Sequence, residues 1–161
     1  MDLEFTHESL THESFMQEAL IEAQKAYDLD EVPIGAVVVK DGKIIGRGHN
    51  LREREKDPTL HAEIIAIKQA AKTLGGWRLT DCDLYVSIEP CPMCAGAILQ
   101  ARIRKLIFGA RDPKAGCAGS LYNLLQDSRF NHQTEVVEAV LEEECSHIMK
   151  DYFRQKRKRS D

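Results

Sequence analysis

Four residues in this 161-residue chain have the types and spacing to hold a metal ion and move a proton beside it. His61-Ala62-Glu63 opens one helical pattern, and Pro90-Cys91-Pro92-Met93-Cys94 opens another, with Cys91 thirty positions after His61. Cys91 and Cys94 are three apart, so they share a helical face and two sulfurs can point at one ion. A helix N-terminus favours thiolate over thiol, which is the form that ligates. His61 supplies the third donor. Three protein ligands with a fourth position left to water is the pattern of a catalytic zinc site, not a closed structural one. An ion held this way lowers the pKa of its water to roughly 7. Glu63 lies near the ion without needing to ligate it, and is placed to move the water's proton. A C-x-x-C between a strand and a helix also suits a redox dithiol. The paired H-x-E, the proline before Cys91 and the spacing favour the metal. Cys82, the local candidate for a fourth ligand, sits at the far end of the preceding strand and is out of reach. Cys82, Cys117 and Cys145 read as small buried hydrophobes.

The elements that must position these residues follow from periodicity. Phe15 to Tyr27 has helical spacing, and residues 1 to 13 read as a loose arm with a helix cap at Thr11 or Ser14. Val32 to Lys40 and Lys43 to Gly48 are strand-like runs joined by Asp41-Gly42, a strong hairpin signal. The charged stretch 51 to 57 reads as a loop. His61 to Leu74 is a helix, Asp83 to Ile88 a strand, Pro92 to Arg102 a helix and Arg104 to Ala110 a strand. Ser120 to Leu125 reads as a short helix, Glu135 to Ala139 as an edge strand, and Glu142 to about Lys158 as a final amphipathic helix. Strands alternating with helices imply an α/β sheet with helices on its faces. One helix and one strand fill the gap from His61 to Cys91, a crossover that brings the two helix N-termini side by side.

Composition limits the rest. Residues 14 to 159 are of a size for one domain. Hydrophobic residues are 43% and charged residues 30%, which excludes a wholly disordered chain. The longest stretches without Asp, Glu, Lys or Arg are 12 residues, short of the roughly 20 a membrane helix needs. The acidic start lacks a secretory pattern, so the cytoplasm is the expected compartment. Net charge is −4, which by itself argues against nucleic acid, but it is unevenly spread. Residues 1 to 31 hold nine acids and one base, whereas residues 154 to 161 hold five bases and one acid. A basic C-terminal helix leaves room for a polyanion at one end.

The arrangement H-x-E…P-C-x-x-C is the signature of zinc-dependent nucleoside and nucleobase deaminases. Further stretches follow in order: Glu31-Val32-Pro33-Ile34-Gly35-Ala36, Gly48-His49-Asn50-Leu51-Arg52-Glu53, Gly76-Trp77-Arg78-Leu79, Gly109-Ala110-Arg111-Asp112-Pro113-Lys114, Phe130-Asn131-His132 and Asp151-Tyr152-Phe153-Arg154. Together they resemble the bacterial tRNA-specific adenosine deaminases over residues 15 to 159. The resemblance implies a three-layer αβα fold of the cytidine-deaminase type, with a central mixed five-stranded sheet and helices on both faces. It implies hydrolytic deamination of adenosine to inosine at the wobble position of a tRNA anticodon, by a homodimer with one zinc per subunit that binds the anticodon stem-loop. Asn50, at a strand end beside the site, would read a purine edge or a ribose hydroxyl. The backbone of Ala62 would hold the surroundings of the attacked atom. Asp112 and Lys114 would meet sugar and phosphate from a loop. Asn131, His132, Phe153 and Arg154 carry over as RNA contacts. The rival activities are deamination of a free base or nucleotide such as cytosine, guanine or deoxycytidylate, and RNA binding by an inactive zinc-stabilised module.

Overall fold

The computed structural model describes residues 7–160, with side chains from residue 11 onward. A five-stranded mixed sheet of order β2-β1-β3-β4-β5 forms its centre. β1 (Gly35–Lys40) and β2 (Lys43–His49) make the expected hairpin. Asp41 and Gly42 at its turn both have positive φ, 50° and 75°, a geometry that matches the twist of the flanking strands. β1 pairs antiparallel with β3 (Cys82–Ile88), and β3, β4 (Lys105–Ala110) and the edge strand β5 (Glu135–Val137) run parallel.

Helices cover both faces, as expected for an αβα fold. α3 (Ala62–Leu74) and α4 (Pro92–Ala101) pack on one face against Val38, Leu84, Val86, Leu106 and Phe108. α1 (His7–Asp28) and α5 (Glu142–Ser160) cover the other, over Val37, Tyr85 and Ile107. Burying each such side chain is worth about 1.5–3 kcal/mol. α3 lies unusually close to β2. A Cβ on Gly46 would stand 2.3 Å from the Ala66 carbonyl oxygen, and one on Gly48 2.5 Å from that of Ala62. Only hydrogen fits at both positions, so the start of α3 is seated over the end of β2, where Asn50 follows.

Several boundaries differ from the sequence reading. α1 begins at His7, so Thr11 and Ser14 lie inside the helix and do not cap it; residues 1–6 of the expected arm lie outside the described residues. Tyr85 tethers this extension: its hydroxyl bonds His12 Nδ1 at 2.7 Å, and the rings of His12 and Phe15 pack on it. The stretch 51 to 57 contains a one-turn helix, α2 (Arg52–Glu55). Between Ser120 and Leu125 the chain forms a turn, followed by a 3₁₀ turn at Leu124–Gln126. No helix among the described residues is long and apolar enough to cross a membrane.

Candidate active site

α3 and α4 both start at the end of the sheet where β3 and β4 finish, and His61 and Cys91 are their N-cap residues. His61 Nδ1 lies 3.5 Å from Cys91 Sγ and 3.5 Å from Cys94 Sγ. The three ligand atoms are all within 4.8 Å of one another. A tetrahedral ion with Zn–N of about 2.0–2.1 Å and Zn–S of about 2.3 Å separates its nitrogen and sulfur ligands by about 3.5 Å. The donor set and its spacing therefore fit zinc. Cys82 takes no part; it is buried, with its sulfur 3.6 Å from the Thr80 carbonyl oxygen. A hydrogen bond from Cys94, aided by His61, holds the Cys91 thiol down to about 4 against the effect of burial. The same bond pushes Cys94 up.

Glu63, in the first turn of α3, is 3% exposed. Burial pushes its carboxyl up to about 7. A carboxyl poised near neutrality can take a proton from water and return it within one cycle. Glu63, His61 and Cys91 line a cleft of about 530 Å³, enough for a nucleobase with its sugar.

Asn50 is buried at the cleft wall, and its Oδ1 accepts the Ala62 N–H at 2.8 Å. That bond assigns the amide: oxygen inward, Nδ2 left as a donor toward the cleft. It also narrows the expectation for the Ala62 backbone: its N–H is engaged by Asn50.

Asp112, Lys114 and Phe153 line the same cleft. Asp112 Oδ1 accepts the N–H groups of Lys114 and Ala115 at 3.0 and 3.2 Å, which shapes the loop that presents Lys114. Arg154 lies just outside, in a groove that shares Lys114, Lys150 and Phe153 with the cleft and continues to Arg157. Positions 150, 153, 154 and 157 share one face of α5. The five bases of the tail thus divide. Lys156 lies on the Tyr152 hydroxyl and ring, and Arg159 Nη2 pairs with Asp30 at 2.9 Å. Only part of the basic tail faces the groove.

Asn131 and His132 are not brought to the cleft of their own chain. His132 Nε2 bonds the Ile103 carbonyl oxygen at 2.7 Å, and Ile103 precedes β4 at the opposite end of the sheet. The reason is topological: β4 runs away from the residues it starts beside, and the segment before β5 returns to that starting edge.

Two acids with no role in the sequence reading shape the rim. Glu89, 3% exposed, accepts the N–H groups of Asp112, Ala118 and Ser120, each at 3.0 Å, and the Ser120 hydroxyl at 2.5 Å. Burial alone would raise this carboxyl, but the four donors together hold it below the usual carboxylate range. Glu31, 1% exposed, accepts the N–H groups of Glu53 and Arg54 and so caps α2. The available signal was a charged residue interrupting an apolar run, as in Ile88-Glu89-Pro90.

The MafB19-like deaminase family matches residues 10–157. The chain is 56% identical over 147 residues to a tRNA-specific adenosine deaminase of Bacillus subtilis, covering 91% of each chain. Among solved structures, it is similar to one from a study of A-to-I editing by tRNA:A34 deaminases at the wobble position of transfer RNA. That match has a TM-score of 0.81 and 46% identity, over 84% of this chain and 98% of the other. A guanine deaminase from Bacillus subtilis matches less fully, with a TM-score of 0.59 and 43% identity over 66% of each chain.

Proposed function

The chain belongs to the MafB19-like deaminases and, by its full-length relatives, to the tRNA-specific adenosine deaminases, and from that premise we propose the following reaction at its cleft. The protein deaminates adenosine to inosine in tRNA, at the wobble position of the anticodon. His61, Cys91 and Cys94 hold one zinc per subunit. Zinc, when bound, supplies the Lewis acidity that makes water a nucleophile at neutral pH. Glu63 takes one proton of that water and delivers it to N1 of the adenine ring; it then takes the remaining proton of the oxygen now on C6 and gives it to the C6 amino group, so that the C6 carbonyl forms as ammonia leaves. The Asn50 amide donates to an acceptor on the purine edge or to a ribose hydroxyl. Asp112, Lys114 and Phe153 hold the nucleotide and its neighbours. Arg154 and the groove beside it take the phosphate backbone.

The observation that carries this reading is the continuity of the cleft with a basic groove. A free nucleobase would need only the cleft. An RNA needs the groove as well, because its target base must leave the stack while its phosphates stay bound outside. A base is released most cheaply from a single-stranded loop such as an anticodon. Asn131 and His132 would serve only if a second subunit brought them to the neighbouring cleft. A homodimer is supported by the exposed apolar side chains Met93, on α4, and Leu121 and Tyr122, in the loop after β4. A tRNA substrate supports the cytoplasm as the enzyme's compartment.

The test is mass spectrometry of nucleosides after incubation with an anticodon stem-loop carrying adenosine at the wobble position. Inosine should appear there, and free adenosine should remain almost untouched. Efficient conversion of free adenosine, cytidine or guanine, with no inosine in the stem-loop, would replace this reading with the free-base one.

A further inference from the structure

A base swung out of its strand leaves phosphates on both its 5′ and 3′ sides at the mouth of the pocket. The groove through Lys114, Lys150, Arg154 and Arg157 can neutralise one side only. On the α2 side of the cleft stands another cation, Arg52, which lines the cleft together with Asn50, His61 and Glu63. It is exposed, and none of the ion pairs or side-chain hydrogen bonds among the described residues involves it. A free guanidinium at a cleft mouth is a fork that matches two phosphate oxygens.

What keeps Arg52 there is unusual. It is the first residue of a one-turn helix that could not persist alone. Both oxygens of the buried Glu31 carboxylate bind that turn, accepting the Glu53 N–H at 2.9 and 3.1 Å and the Arg54 N–H at 3.1 Å. At its other end Lys56, at φ 51°, closes the turn through a hydrogen bond to the Arg52 carbonyl. The adjacent Asp30 reaches the other way: its carbonyl accepts the Tyr152 hydroxyl at 3.1 Å, and its carboxylate pairs with Arg159. Two neighbouring acids thus join the turn that carries Arg52 to the helix that carries the basic groove.

We propose that Arg52 binds an RNA phosphate on the α2 side of the cleft, and that Glu31 is the positioning residue that holds it there. This inference rests on the RNA reading above. It gives the cleft a cation on each side of the flipped nucleotide, and it gives a buried carboxylate with no part in the chemistry a function in binding.

The test compares wild-type zinc enzyme with Arg52→Gln, Glu31→Gln and the double variant, using the same wobble-adenosine stem-loop. Arg52→Gln should raise the Kd about tenfold, the loss of one charge-assisted contact. It should lower the slope of log Kd against log salt by about 0.7, as for one single-strand phosphate. The zinc content should stay at one per chain. Glu31→Gln should weaken binding in the same way, and Glu31→Asp, which keeps the charge, should recover part of the affinity. The double variant should bind no worse than Arg52→Gln alone, a non-additivity that general destabilisation does not produce. If Arg52→Gln matches wild type in Kd and salt slope, the phosphate role is overturned. If the two losses simply add, Glu31 does not act through Arg52. A wild-type enzyme that leaves the stem-loop unmodified overturns the RNA reading itself, an outcome separable from the others because it involves no variant.

Discussion

Glu63 and Glu89 are equally buried, each 3% exposed, yet their carboxyls are displaced in opposite directions. Burial dominates at Glu63 and carries it up to about 7. At Glu89 burial pulls the same way, but three backbone N–H groups and a hydroxyl outweigh it and hold the group low. Glu63 sits at the floor of a cleft, where a proton can arrive and leave. Glu89 sits under the 112–120 loop, with its lone pairs already occupied. Solvent exposure by itself therefore does not say what an acid is for; the donors fixed around it help decide. One carboxyl is kept able to change its charge, and the other is kept from doing so.

The largest test of this contrast is removal of the metal. Chelation should abolish turnover, and one equivalent of zinc per chain should restore it, as read by elemental analysis and inosine formation. The amide NMR signals of residues 112–120 should hardly move, because nothing in the Glu89 network includes a ligand. Loss of those signals along with activity would show the two regions to be one unit.

The next test exchanges the two acids for their amides. Glu63→Gln should cut the single-turnover rate by at least ~10²-fold while keeping zinc content and melting temperature, the behaviour of a proton carrier. Glu89→Gln should do the reverse. It trades an ionic acceptor of four hydrogen bonds for a neutral one with a misplaced donor, a cost of about 2–3 kcal/mol in stability. It should raise KM more than it lowers kcat, because the loop presents Asp112 and Lys114. Equal effects of the two changes on rate and on melting would erase the distinction.

A smaller effect is expected at the groove. Neutralising Arg154 and Arg157 together should reduce the salt slope of stem-loop binding by about 1.4, or about 0.7 for each phosphate contact. Neutralising Lys156 and Arg159, whose partners are Tyr152 and Asp30, should leave that slope in place and lower stability only slightly, as for exposed pairs. A slope that responds alike to both pairs would mean the whole tail binds RNA without regard to its faces.

The smallest effect is in pH. The Glu89 carboxyl titrates below its ordinary 4.5 in the folded protein. Its contribution to stability is thus complete above that value and is lost only as pH falls through the lower folded one. The amide signals of residues 112–120 should hold their shifts down to pH 5 and broaden only below 4.5. Broadening already at pH 6 would contradict the network.

How far the site could be read in advance depended on sequence separation. Cys91 and Cys94 were legible because they are three apart, where spacing alone determines that they share a helical face; His61 and Glu63 were legible because they open the other helix whose start the crossover brings beside them. The Asp41-Gly42 hairpin was legible for the same local reason. The one-turn helix α2 was not. Its own residues are four charged side chains, and what forms it is a carboxylate more than twenty positions earlier. The basic tail was legible as charge but not as a surface, since only the fold brings Asp30 to Arg159 and leaves Arg154 and Arg157 along the groove.

The sequence by itself determined the chemistry: the donor set, the unligated acid, the order of strands and helices, and the excess of positive charge at one end. These follow from residue type and short-range periodicity, which need no knowledge of the fold. The tertiary structure alone decided which groups are available to a substrate. It engaged the Ala62 N–H with Asn50, set His132 at the opposite end of the sheet, and gave Glu89 four fixed donors where Glu63 meets its own backbone N–H and the Cys94 thiol. Those outcomes depend on partners distant in the chain, and a hydrogen bond between distant partners exists only once the sheet has brought them within about 3 Å.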